Sequence, residues 1–174
     1  EDKRDIDQAM GWDKPVEESQ IFGFASCMKM HTIQYTVSRV LMMKEDPNEL
    51  IPGKRRVAIP LTFTLTGYID LNKLDMSNVT FSKGRYTVSL PEAEVEIIGH
   101  EGDRVERVSW NRMSIKDEEI EGELARIKRE VYAQYVDEVR QRAKKEFEVA
   151  IMPYFERLQI SDKVDIVTLP NKDR

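Results

Sequence analysis

Few residues in this chain have the chemistry to hold a metal or attack a substrate. They are two histidines, one cysteine and a scatter of carboxylates at strand ends. His31 and His100 are about seventy positions apart, and neither falls in the His-Glu-x-x-His spacing that presents two ligands on one helix face. His100 stands beside Glu101 and Asp103. Such a grouping can hold a hard cation, but it more often marks an exposed acidic turn. Cys27 is alone, which excludes an intramolecular disulfide and a thiolate cluster. Phe24-Ala25-Ser26-Cys27 is faintly like a lipidation box, but the residues before it are acidic and lack an apolar run, so a small buried thiol is the expectation. None of the eight glycines forms a phosphate loop, a dinucleotide fingerprint or a serine elbow. No catalytic residue, metal ligand or cofactor is therefore assigned.

Asp70, in Tyr68-Ile-Asp-Leu-Asn-Lys, is the carboxylate best placed for a role. At a strand end, Asp and Asn usually bond their own backbone to shape a turn, and that is the expectation here. A hydrolase in which Asp70 converges with Glu92 or Glu94 only in three dimensions stays open as an alternative.

The elements that must position these groups are legible from periodicity. Residues 1–20 are polar, with Gly11 and Pro15, and read as an arm that Trp12 docks; the arm and a short lead-in extend to residue 27. From 28 to 174 a single α+β domain is expected. Ile33, Tyr35, Val37, Arg39 and Leu41 alternate with Thr32, Gln34, Thr36, Ser38 and Val40, which predicts a long strand over 31–44. After turn chemistry at 45–53, Val57, Ile59, Leu61, Phe63 and Leu65 share one face of a second strand. Pro60 cannot donate to a ladder, which predicts an edge, a bulge or an interruption at that point. Residues 79–81 and 86–90 flank Ser82-Lys-Gly-Arg85, a β-hairpin signature. A strand at 95–98, a turn at 100–103 and a strand from 105 to 110 follow, and residues 163–169 form a last strand.

Ser114-Ile-Lys-Asp117 has capping-box spacing and leads into an acidic first turn. Ile120, Leu124, Ile127, Val131, Tyr135, Val139, Ala143, Phe147 and Ile151 then recur every three or four residues, predicting one helix over 117–152 that Pro153 kinks or ends. At 1.5 Å per residue it is roughly 54 Å long, well beyond a small domain. The four-residue steps after Val131 disfavour a coiled-coil seam. The fold class is α+β: a mostly antiparallel β N-terminal half packed against one long C-terminal α-helix, with a final short strand.

Composition narrows the partners. A net charge of -5 offers no basic surface for a phosphate backbone, so nucleic acid is not expected. No stretch is apolar enough to span a bilayer. The chain begins at Glu1 rather than Met, and a trimmed anchor or signal segment ahead of it is the expectation. Lys54-Arg55-Arg56, in a turn, is a candidate for contact with anionic headgroups if such an anchor holds the domain against a membrane.

Three stretches together resemble the bacterial domain of unknown function 4230 family: Leu50-Ile-Pro-Gly-Lys-Arg-Arg-Val-Ala-Ile-Pro60, Gly67-Tyr-Ile-Asp-Leu-Asn-Lys-Leu74 and Tyr86-Thr-Val-Ser-Leu-Pro-Glu-Ala-Glu-Val95. The resemblance covers most of residues 28–169. It implies a leading long strand, an Asp-Leu turn like Asp70-Leu71, and a closing charged helix. It also implies an N-terminal membrane segment, which many members carry and which the polar first residues here are not.

The function expected on these grounds is a non-enzymatic interaction or scaffold domain, the soluble part of a membrane-anchored bacterial protein. Its partner is another protein or a second copy, met through the long helix at Tyr132, Tyr135, Val139, Phe147, Tyr154 and Phe155. The alternative is a small-molecule or lipid-binding module with an apolar cavity between sheet and helix.

Overall fold

The structure, a computed structural model, describes residues 13–27, 32–44, 55–108 and 117–169. Trp12, His31, the turn at 45–53 with Lys54, Trp110, the Ser114 cap and the side chains of Cys27 and Arg55 lie outside what it describes. Of the described residues, those within 34–66 and 95–139 form one compact unit, and those within 1–33, 67–94 and 140–174 form the other. In chain order the elements are α1 (Glu18–Phe22), α2 (Phe24–Cys27), β1 (Thr32–Lys44), β2 (Arg55–Tyr68), β3 (Val79–Ser82), β4 (Arg85–Leu90), β5 (Glu94–Glu101), β6 (Val105–Val108), α3 (Asp117–Arg157) and β7 (Val164–Thr168).

The unit of residues 34–66 and 95–139 is built on a sheet in the order β1-β2-β5, with β6 also paired to β2. Period-two patterning sets its two faces. Val57, Ile59, Leu61, Phe63 and Leu65 of β2 are each 3% exposed or less, whereas Arg56, Pro60 and Thr62 of the alternate positions are exposed. Val37 and Leu41 of β1 join the buried face, and Ile120, Ile127, Val131 and Val139 of α3 complete the core.

β2 runs unbroken through Pro60 and has neighbours on both sides, so Pro60 marks no edge. The interruption is in the neighbour. β6 pairs antiparallel with β2 from Arg55↔Val108 to Ala58↔Val105. Residues 102–104 separate it from β5, and Gly102 donates its N–H to the Pro60 carbonyl at 2.7 Å. In an antiparallel strand a residue's N–H and C=O point to the same neighbour. The donor that proline lacks therefore faces the break. A Cβ on Gly102 would lie 3.1 Å from the Pro60 Cβ, a tight contact that glycine avoids.

In the other unit β3, β4 and β7 form the sheet. β3 and β4 make the expected hairpin, antiparallel from Val79↔Val88 to Ser82↔Arg85. Its two turn residues, Lys83 and Gly84, have φ of 51° and 77°, the left-handed pair of a turn matched to strand twist. β7 pairs parallel to β4, Tyr86 opposite Val164. A parallel neighbour needs a long crossover, and the chain between Leu90 and Val164 supplies it. Arg85 Nε and Nη2 each donate to a carboxylate oxygen of Asp165 at 2.8 Å, tying the starts of the two strands together.

The core of this unit includes Phe24, Tyr86, Val88, Leu90, Phe147, Ile151 and Phe155. It also takes in the segment read from sequence as an arm and lead-in. Ile21 and Phe24 are 0% exposed, and Phe24 meets Phe147 and Phe155 edge-to-face at 6.3 and 6.4 Å. Two tyrosines fasten the segment further. Tyr86 Oη donates to the Val16 carbonyl at 2.5 Å and accepts from the Val16 N–H at 3.0 Å, and Tyr154 Oη donates to the Gln20 carbonyl.

Burial pushes the Tyr86 phenol above its ordinary value of 10.0, against a smaller opposing effect of its bond to Val16. A raised phenol means that the folded state holds the proton more tightly. The stabilisation is therefore complete below pH about 10 and is lost as pH rises through the raised value. Denaturant midpoints measured between pH 8 and 11 are expected to fall more steeply for the natural chain than for Tyr86→Phe, which has no proton to lose.

α3 is 41 residues long and opens with Asp117, Glu118 and Glu119, which complement the positive end of its dipole. Pro153 lies inside the helix, which continues to Arg157 and is not ended there. The side chain at 153 is exposed, while Ile151 and Phe155 on either side of it are fully buried. Burial along α3 follows four-residue steps, and each such step drifts about 40° around a 3.6-residue helix. The apolar stripe is accordingly broad within each unit.

Candidate functional site

Placed in the structure, the six helix residues expected to meet a partner divide into two groups. Val139, Phe147 and Phe155 are 0%, 1% and 0% exposed. They are core side chains and offer nothing to a partner of the folded chain. The physical reason is that steps of four continue one inward face, and the chain spends that face on its own sheets. Tyr132, Tyr135 and Tyr154 are half-buried. The Tyr135 ring lies 5.3 Å from that of Tyr35, and its hydroxyl accepts from Arg39 at 3.4 Å.

The carboxylates considered for a hydrolase each have a separate structural task. Asp70 Oδ1 accepts from the Asn72 N–H at 3.0 Å and caps a 3-10 turn over Leu71–Lys73, as its place after a strand predicts. Glu94 takes Lys73 at 2.7 Å, and Glu92 faces Arg140 at 3.9 Å. Among the described residues no group of three or more His, Cys, Asp or Glu stands close enough to hold a metal ion. Of the basic turn, Lys54 and the Arg55 side chain are outside the described residues, and Arg56 is exposed on β2.

Two features were not foreseen. One is β1 itself. It is the terminal strand of its sheet, and among the described residues no strand lies beyond it. Its outward positions carry Val40 at 60% and Met42 at 63% exposure. Between Thr32 and Met43 the only charge is Arg39, and that guanidinium is drawn to the Gln134 side chain at 3.1 Å and over the Tyr135 ring at 5.9 Å. Natural edge strands usually present a charge or a proline to discourage pairing; the outward face of β1 from Gln34 to Met42 carries neither. The alternation that revealed the strand also held this signal, since Val40 and Met42 fall on the polar side of the pattern.

The other is a groove of about 170 Å³ in the same unit, lined by Leu61 and Phe63 of β2, Gly99, His100 and Glu101 of β5, and a stretch of α3 that includes Lys128.

Among the described residues no helix is long and apolar enough to cross a membrane. In comparisons with known proteins, the model of the family described as "Protein of unknown function (DUF4230)" matches residues 24–166. No curated protein and no solved structure is detectably similar to the chain.

Proposed function

The chain belongs to the DUF4230 family, and from that premise we propose that it is a non-enzymatic interaction domain that pairs with a second copy of itself along β1. The observation that carries this reading is the edge of the 13-residue β1, whose outward face from Gln34 to Met42 shows Val40 and Met42 and carries no charge. An uncovered strand offers unpaired N–H and C=O groups, and pairing satisfies them while removing apolar side chains from water. A second copy fits this edge because no outward side chain from Gln34 to Met42 carries a charge that repels its own image. Arg39, the single charge before Lys44, is held toward α3 instead of standing in the way.

The proposal also gives the domain a setting. In the full protein it is carried at a bacterial membrane by an N-terminal segment outside this chain, following the pattern implied by the resemblance of Gly67–Leu74 and the neighbouring motifs.

Light scattering over a concentration series tests the pairing. The natural chain is expected to approach twice the mass of one chain, 20.3 kDa, as concentration rises. The variant Val40→Lys with Met42→Lys is expected to stay near the mass of one chain, with an unchanged circular dichroism spectrum, because both positions are exposed. A natural chain that keeps the mass of one chain at every concentration contradicts the proposal.

A further inference from the structure

We propose that the groove beside Phe63 is a binding site for a small zwitterion with an apolar body, of the size and kind of a branched-chain α-amino acid. Its floor is apolar: Leu61 and Phe63, two apart on the inward face of β2, are each 3% exposed, and Leu124 of α3 is half-buried beside them.

Gly99 makes room for this floor. A Cβ there would stand 3.0 Å from Phe63 Cε1, so Gly99 faces the same side as the ring and lets it rise beneath β5. Side chains alternate along a strand, which puts Glu101 on that side too. Across the groove Lys128 stands one turn beyond Leu124, and residues four apart share a helix face.

A carboxylate and an ammonium thus line opposite walls of one apolar floor, and among the described residues neither the Glu101 nor the Lys128 side chain makes a hydrogen bond or an ion pair. A ligand that carries both opposite charges on neighbouring atoms satisfies both walls at once, whereas a fatty acid or an amine leaves one wall unmet. The volume of about 170 Å³ is below the ~300–1,000 Å³ of ordinary cofactor pockets and matches a ligand of amino-acid size. Ala125, small and exposed, leaves the rim open.

The test is an NMR titration of the whole chain with leucine, and in parallel with its two halves: 4-methylpentanoate, which lacks the ammonium, and 3-methylbutylamine, which lacks the carboxylate. Leucine is expected to shift the amides of 99–101 and 124–128 saturably, leaving those of β3, β4 and β7 in place. Each half is expected to bind at least about tenfold more weakly, the equivalent of ~1.4 kcal/mol. Glu101→Gln and Lys128→Met change exposed side chains, so they are expected to keep the spectrum of the fold and to weaken leucine by a similar factor. Any of three results overturns the assignment: no saturable shift with leucine, a half-ligand that binds as well as leucine, or variants that bind leucine like the natural chain.

Discussion

Replacing Phe147 with alanine is expected to destabilise the chain by about 3–5 kcal/mol and to lower its melting temperature by roughly ten degrees. Phe147 is 1% exposed and sits edge-to-face with Phe24, which in turn packs against Phe155. Truncation removes the transfer energy of a buried ring and leaves a cavity among rings too rigid to collapse into it. It also loosens Phe24 and, with it, the segment from Val16 to Phe24 that the two tyrosines fasten. The control is Val149→Ala on the same helix. Val149 is 63% exposed, and its loss is expected to stay within about 0.5 kcal/mol. Thermal melts followed by circular dichroism read both variants; a Phe147→Ala melt within two degrees of the natural one would contradict the core assignment.

Val139→Asp is the second large effect, and it separates two accounts of the helix. Were Val139 a partner contact, an aspartate there would abolish association and leave each chain folded. At 0% exposure it instead places a carboxylate in the core of residues 34–66 and 95–139. Burying an unpaired charge costs several kcal/mol even after the group takes up a proton, so a loss of about 4 kcal/mol or more is expected. Hydrogen exchange locates it: the β2 amides from Val57 to Leu65 are expected to lose protection in dilute solution. Unchanged protection in dilute solution would restore Val139 to the surface.

Both residues were legible in the sequence as apolar positions of a long helix, but not as core. Periodicity gives the spacing of a face and not what covers it. A helix of roughly 54 Å is too long for one sheet and on that count implies an uncovered face; the chain supplies two sheets, and α3 gives Val139 to one core and Phe147 to the other. The strands were legible because β1, β2, the hairpin and β7 alternate cleanly or carry turn residues such as Lys83-Gly84. Pro60 misdirected because a missing donor can be matched by a break in the neighbouring strand at Gly102, which no local pattern records. The short helices of residues 18–27 were hidden by their polar setting, although Ile21, Phe22 and Phe24 were an apolar signal in their own right. The groove was out of reach, since Leu61, Gly99, Glu101 and Lys128 meet only through sheet pairing and helix docking.

The central claim is that β1 is a pairing edge, and hydrogen exchange of its backbone in dilute and concentrated solution tests it most directly. The β1 amides from Gln34 to Met42 that point away from β2 are expected to exchange quickly when dilute and to gain protection as concentration rises, and Val40→Lys with Met42→Lys is expected to remove the gain. Outward β1 amides that exchange at the same rate at every concentration would contradict the claim.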